Sequence, residues 1–175
     1  MSASKNRPRW SDLPATARRQ VEELAHGRVI SAQNCEAGFS PGFASQLTLA
    51  DGGRIFAKAI DAGEWPSQLA TYQDEARIAA ALPPGLPVPR FIGSSDDGRW
   101  LILAFEWVEG AEPARPWRPA DLARTVTAVG RMSALLTPSP LVVPADQPRL
   151  GGWHGMAADA ALRRQLAACS AWAAA

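Results

Sequence analysis

Apolar residues recur along this chain first at helical spacing, then in alternation, then at helical spacing again. Residues 10–27, WSDLPATARRQVEELAHG, put Val21, Leu24 and Ala25 on one face. That pattern predicts an amphipathic helix capped by Asp12, with Pro14 in its first turn and Gly27 as its stop. Alternation takes over in VISAQ, FASQLTLA and RIFAKAI, and the Asp-Gly-Gly between the last two is a strong hairpin signal. From about Trp65 to Leu82 the period is helical again, and the four prolines of PPGLPVPR exclude its continuation. RFIGSSDDGRWLILAFEWVEG then predicts two further strands around SDDG. The run Trp100 to Val108 is apolar almost throughout and reads as buried on both faces. Five strands with one helix inserted after the third make an α+β lobe. EPARPWRP follows as a connector, residues 121–136 as a second helix, and TPSPLVVPADQPRLGG as an irregular proline-rich stretch. The final helical stretch, MAADAALRRQLAACSAWAAA, ends without cap, glycine or proline and reads as interrupted. No internal repeat stands out.

Composition narrows the class. With 175 residues, 47% hydrophobic and 20% charged, the chain suits one soluble domain, or a small lobe plus part of another. A formal net charge of +1 offers no electrostatic case for nucleic acid or an anionic membrane. No apolar run approaches the ~20 residues of a membrane span. MSASKNRPRW leads to no apolar signal core, and Cys35 and Cys169 have no metal or redox spacing. The expectation is a cytoplasmic protein with reduced thiols. Seven tryptophans suit a broad core or a pocket that stacks planar ligands, and core packing is the reading favoured here.

One residue breaks the pattern. Strand parity puts Lys58 with Phe56 and Ile60, opposite Ile55, Ala57 and Ala59, so both faces are apolar around a charge. An ammonium there needs a negative partner or an escape to water. Glu75 shares a helical stripe with Tyr72, Ala79 and Leu82 and is the candidate counter-charge; Asp74 beside it reaches less far. The alternative, Lys58 snorkelling to solvent with Glu75 hydrated, stays open at this point. So does the role of GFSPG, Gly38 to Gly42: an ordinary hairpin loop, or a backbone cradle for phosphate with Ser40 as an added donor. No Gly-Lys-Ser/Thr follows it, so it is not a Walker loop.

A glycine loop between two strands, a lysine in the third strand and an acid in the next helix is the order of a kinase nucleotide lobe. Three pieces make the likeness specific: GFSPGFASQLTLADGGRIFAKA, YQDEARIAAALPPGLPVPRFIGSSDDGRWLILAFEWVEG and PWRPADLARTVTAVGRMSALLTP. From about Trp10 to Trp172 the chain resembles the N-terminal part of the aminoglycoside phosphotransferase and choline kinase-like family. The resemblance implies a kinase-like N-lobe at 29–110, preceded by an N-terminal helix at 1–28. Residues 111–175 would be a connector and the first helices of a truncated helical C-lobe. It implies ATP as cofactor, with magnesium in the complete enzyme, and a small-molecule hydroxyl as acceptor. It makes Lys58 the phosphate lysine, Glu75 its ion-pair partner, and Gly38, Ser40 and Gly42 the loop over the phosphates. Glu106, Trp107 and Val108 would be the hinge whose backbone reads the base edge.

The family's catalytic loop, His-Gly-Asp with a later Asn, and its metal-binding Asp have no match here. His26 ends a helix, and His154 in WHGMAADA has Met156 where the Asp belongs. Asp146 and Asp159 are isolated acids that read as solvated or capping. No catalytic or metal residue is therefore assigned. The expectation is a fragment of an ATP-dependent phosphotransferase, inactive alone, with apolar stripes such as Leu122, Val126, Val129 and Leu136 exposed. The alternatives are a non-catalytic nucleotide-binding or regulatory module, and a purely structural Lys58–Glu75 pair. Neither the acceptor nor the choice between ATP and GTP follows from these residues.

Overall fold

The computed structural model describes residues 7–36, 38, 40–111, 113–141 and 159–167. The chain divides into two units, Met1–Leu141 and Val142–Ala175.

The first unit opens differently from the expected single helix. Trp10–Asp12 form a 3₁₀ turn, in which the Arg9 backbone N–H donates to Asp12 Oδ2 at 2.8 Å. Leu13 and Pro14 are extended, and helix α1 begins only at Ala15, covering Ala15–Ala25. The proline ring disfavours helical backbone at the residue before it, so Leu13 leaves the helix and its side chain is buried instead. At the other end His26 itself, rather than Gly27, adopts the left-handed conformation, φ 51°, and ends the helix.

Five strands follow: β1 (Val29–Asn34), β2 (Phe43–Leu49), β3 (Arg54–Asp61), β4 (Phe91–Asp96) and β5 (Trp100–Glu106). Helix α2 (Pro66–Ala81) lies between β3 and β4. The sheet order is β1-β2-β3-β5-β4 with every pair antiparallel, so this is the expected α+β lobe with one inserted helix. The β2–β3 turn is set by Asp51, whose Oδ1 accepts the Gly53 N–H at 2.8 Å, while Gly52 takes φ +86°. Asp97 organises the β4–β5 turn, accepting the N–H groups of Arg99 and Trp100 at 2.9 and 2.7 Å. These two bonds, more than the lesser opposing effect of burial, hold its carboxyl below the usual range.

Parity sorts the central strands into two cores. Ile55, Ala57 and Ala59 of β3, with Ile102 and Ala104 of β5, pack against Leu13, Ala17 and Val21 on the α1 face. Ile60, Leu101 and Leu103 point the other way and meet Tyr72 of α2. The stretch Leu101–Ala104 is buried throughout, as a strand covered on both faces should be; the strand itself stops at Glu106, leaving Trp107 and Val108 outside it.

The tryptophans do not form the core expected of them. Trp10 and Trp100 only lean on it, Trp65 and Trp117 are exposed, and Trp153 and Trp172 lie outside the described residues.

Helix α3 (Pro119–Leu135) buries no residue; Leu122, Val126 and Val129 are exposed as expected, with Leu135, whereas Leu136 at the helix end is half-buried. In the second unit, helix α4 (Ala160–Ala167) is capped by Asp159, whose Oδ1 accepts the Ala161 N–H at 2.8 Å. His154, Asp146 and Cys169 lie outside the described residues. No helix among those described is long and apolar enough to cross a membrane.

Candidate functional site

β3 is the middle strand, and its even positions look toward α2. Lys58 is therefore carried to the centre of the sheet on the face where Tyr72 and Glu75 descend from α2, three residues apart on one stripe. Lys58 Nζ donates to Glu75 Oε2 at 2.5 Å, and the two side chains are 18% and 37% exposed. The ammonium also stands 4.7 Å from the centre of the Tyr72 ring, a cation–π distance. Asp74 is turned outward to Arg77, 3.1 Å away, so it does not compete.

The glycine loop reaches this cluster from the other side. Gly38 has φ +101°, a conformation that needs glycine. At Gly42 a Cβ would lie 2.4 Å from the Ala59 carbonyl oxygen and 2.7 Å from the Tyr72 hydroxyl, so no side chain fits there. Ser40 Oγ lies 2.6 Å from the Tyr72 hydroxyl and accepts the Gly42 N–H at 3.3 Å. Arg7, ahead of the 3₁₀ turn, clamps the loop backbone. Its Nε donates to the Ser40 carbonyl at 3.2 Å and its Nη1 to the Cys35 carbonyl at 2.6 Å. Burial raises the Tyr72 phenol pKa, with the Glu75 charge adding; the Ser40 bond and Arg7 oppose them only in part.

Beside the ion pair lies a cavity of about 790 Å³. Phe56, Phe91 and Phe105 form its aromatic floor, Glu75, Ala79 and Leu82 one wall, and the loop from Pro83 to Pro89 another. Glu106, Trp107 and Val108 close its far edge. Phe56 precedes Lys58 by two residues on the same face of β3, so cavity and lysine share one surface.

The predicted site residues thus fall into two groups. Glu75, Glu106, Trp107 and Val108 line the cavity, while Gly38, Ser40, Gly42 and Lys58 do not and are joined to it through Tyr72 and Glu75. Glu106 is occupied with its neighbour strand: its carboxylate accepts the Arg90 N–H at 2.9 Å, and its own N–H donates to the Arg90 carbonyl at 2.9 Å. Trp107 donates its indole N–H to Glu109 Oε1 at 3.0 Å. Among the described residues, the backbone N–H groups of Trp107 and Val108 have no backbone partner. Tyr72, Arg7 and the proline-rich loop are the parts that reading the sequence missed. Tyr72 was visible on the Glu75 stripe, but the contacts of Arg7 and the loop span long sequence separations and leave no local signal.

Among the described residues no three or more His, Cys, Asp and Glu side chains gather as a metal set.

The profile described as the phosphotransferase enzyme family matches residues 32–174. No curated protein matches the chain. Among solved structures, a protein assigned as a fructosamine-3-kinase from Haemophilus somnus 129PT is 12% identical with a TM-score of 0.38. The alignment covers 57% of this chain and 33% of that one, so the chain spans about a third of its length.

Proposed function

The chain belongs to the phosphotransferase enzyme family, and from that premise we propose that its sheet lobe grips a nucleoside triphosphate. The observation that carries this reading is the Lys58–Glu75 pair beside an apolar cavity edged by residues 106–108. A partly buried ammonium with only one carboxylate retains donors for a second anion, and lysine presents three. The cavity is floored by aromatic rings and closed by a backbone segment with unspent N–H groups, which suits a planar base with polar edges. In this assignment Phe56 and Phe105 contact the base, the backbone of Trp107 and Val108 reads its edge, and Lys58 meets the phosphates. Glu75 keeps the ammonium over that spot, and the loop carrying Gly38, Ser40 and Gly42 covers it. When bound, ATP supplies a transferable phosphoryl group for a hydroxyl on a small molecule, in a cytoplasmic setting.

Residues 29–110 act as the nucleotide lobe, and 111–175 continue into the helical part. The 175 residues contain no His-Gly-Asp sequence, and in this proposal the chain binds nucleotide without turning it over alone. Phosphoryl transfer depends on positioning and on charge neutralisation, and this lobe provides the first for the nucleotide only.

Titrating ATP–magnesium against wild type and Lys58→Ala tests the proposal. Wild type should bind and the variant should lose about tenfold or more, as expected for removing a charge-assisted phosphate contact. Equal binding by both would remove the phosphate role from Lys58. ATP consumption by this chain with any aminoglycoside or amino alcohol would overturn the absence of turnover.

A further inference from the structure

Tyr72 stands where the loop, the lysine and the acid meet, and the nucleotide reading gives it no part. It is 2% exposed, and its hydroxyl and ring each serve a different partner. The hydroxyl lies 2.6 Å from Ser40 Oγ, which also accepts the Gly42 N–H at 3.3 Å. Either hydroxyl of the Tyr72–Ser40 pair can donate; the phenol is the stronger acid, and the arrangement used here has Tyr72 as the donor. Ser40 Oγ then accepts two hydrogen bonds and spends both lone pairs. All that remains to it is its own proton, which has to be given away from Tyr72. A serine held in this way is a donor preset for an anion. On the other side, the face of the same ring carries the Lys58 ammonium at 4.7 Å. Arg7 Nε donates to the Ser40 carbonyl at 3.2 Å and so favours this arrangement of the loop backbone.

We infer that Tyr72 is a positioning residue for phosphate: its hydroxyl turns Ser40 into a donor directed at the nucleotide phosphates, and its ring holds Lys58 in register with that donor. This rests on the nucleotide reading and deepens it by tying the two separate groups of site residues into one device. Gly42 belongs to the same device, since a side chain at that position would displace the Tyr72 hydroxyl.

The test compares ATP–magnesium with adenosine, which offers the base and sugar but no phosphate, on wild type, Tyr72→Phe, Ser40→Ala and the double variant. Tyr72→Phe keeps the ring and the cation–π contact and removes only the hydroxyl. It should weaken ATP–magnesium binding three- to tenfold, roughly the size of one net hydrogen bond, and leave adenosine unchanged. Ser40→Ala should do the same, and the double variant should bind no more weakly than Ser40→Ala, because both changes remove one donor. A merely structural tyrosine would weaken both ligands alike. Parallel losses, additive losses in the double variant, or unaltered ATP–magnesium binding by Tyr72→Phe would each overturn the inference while the nucleotide reading stood. Wild type binding neither ligand would overturn that reading and this one with it. Should Tyr72→Phe fail to fold, Ser40→Ala decides alone: a loss confined to ATP–magnesium supports the inference, and an equal loss for both ligands refutes it.

Discussion

The two faces of the sheet are built from the same strands and do different work. Beneath α1, Ala17 and Val21 meet a dry layer of Leu47, Ile55, Ala57, Ala59, Ile102 and Ala104, all buried. Beneath α2 the fully buried set is smaller: Ile60, Leu101, Leu103 and Tyr72. Lys58 and Glu75 share that face, and a cavity opens beside them. Period-two alternation is what permits the division, since moving one residue along β3 crosses from one face to the other. One face is packed throughout, and the other has a smaller buried set with a cavity beside its ion pair.

Four changes break or sharpen this contrast, taken from the largest effect to the smallest. Leu47→Ala on the dry face should cost about 2–5 kcal/mol, the range for emptying a buried leucine site. Urea unfolding would show it as a lower midpoint with an unchanged slope, and a loss below 1 kcal/mol would mean the α1 face is not the main core. Gly42→Ala should destabilise by about 1–3 kcal/mol through overpacking, because the new methyl meets the Ala59 carbonyl at 2.4 Å. Since that methyl also pushes on the Tyr72 hydroxyl, thermal unfolding and ATP–magnesium binding should both suffer, unlike Leu47→Ala, which should spare binding at temperatures where it is folded.

Lys58→Met should separate the faces most cleanly. It keeps the apolar stem and leaves a Glu75 that is 37% exposed and therefore hydrated, so stability should change by no more than about 1 kcal/mol. A much larger loss in denaturant would make the pair a structural element first. The smallest effect concerns acid. Burial would raise the Asp61 pKa, but the Arg99 hydrogen bond and charge, with the N–H groups of Gly63 and Glu64, outweigh it and hold the carboxyl below its usual value. A group with a lowered folded pKa stabilises above its unfolded pKa, about 3.9 for aspartate, and that contribution is lost as pH falls through the folded value. Wild type should therefore lose its margin over Asp61→Asn on acidification below about pH 4. A difference in melting temperature that does not change with pH would show that the charge on Asp61 contributes nothing.

Much of the fold was legible because it rests on short-range patterns. The Asp51-Gly52-Gly53 turn, the Asp97 turn and the parity of β3 all follow from residues a few positions apart. The stripe that placed Glu75 inward is equally local, and α2 does present Tyr72 and Glu75 together at Lys58. The same kind of reasoning failed at Leu13, where a helical period suggested continuity and the following proline enforced a break. It also misjudged the tryptophans, because hydrophobicity says that a ring prefers burial but not whether a small lobe has room for it.

Sequence order alone settles the class of this lobe and the identity of its central charge, since alternation, helical period and turn chemistry act over a handful of residues. Folding decides everything joined across long separations. Only in three dimensions does Arg7 take hold of the Ser40 carbonyl, Tyr72 bond the Ser40 hydroxyl, and the Pro83–Pro89 loop wall a cavity with Glu106, Trp107 and Val108. The cavity edge comes from β5 inserting beside β3, the other contacts from the N-terminal segment and α2 meeting the β1–β2 loop, and no local pattern encodes which distant segment will arrive there.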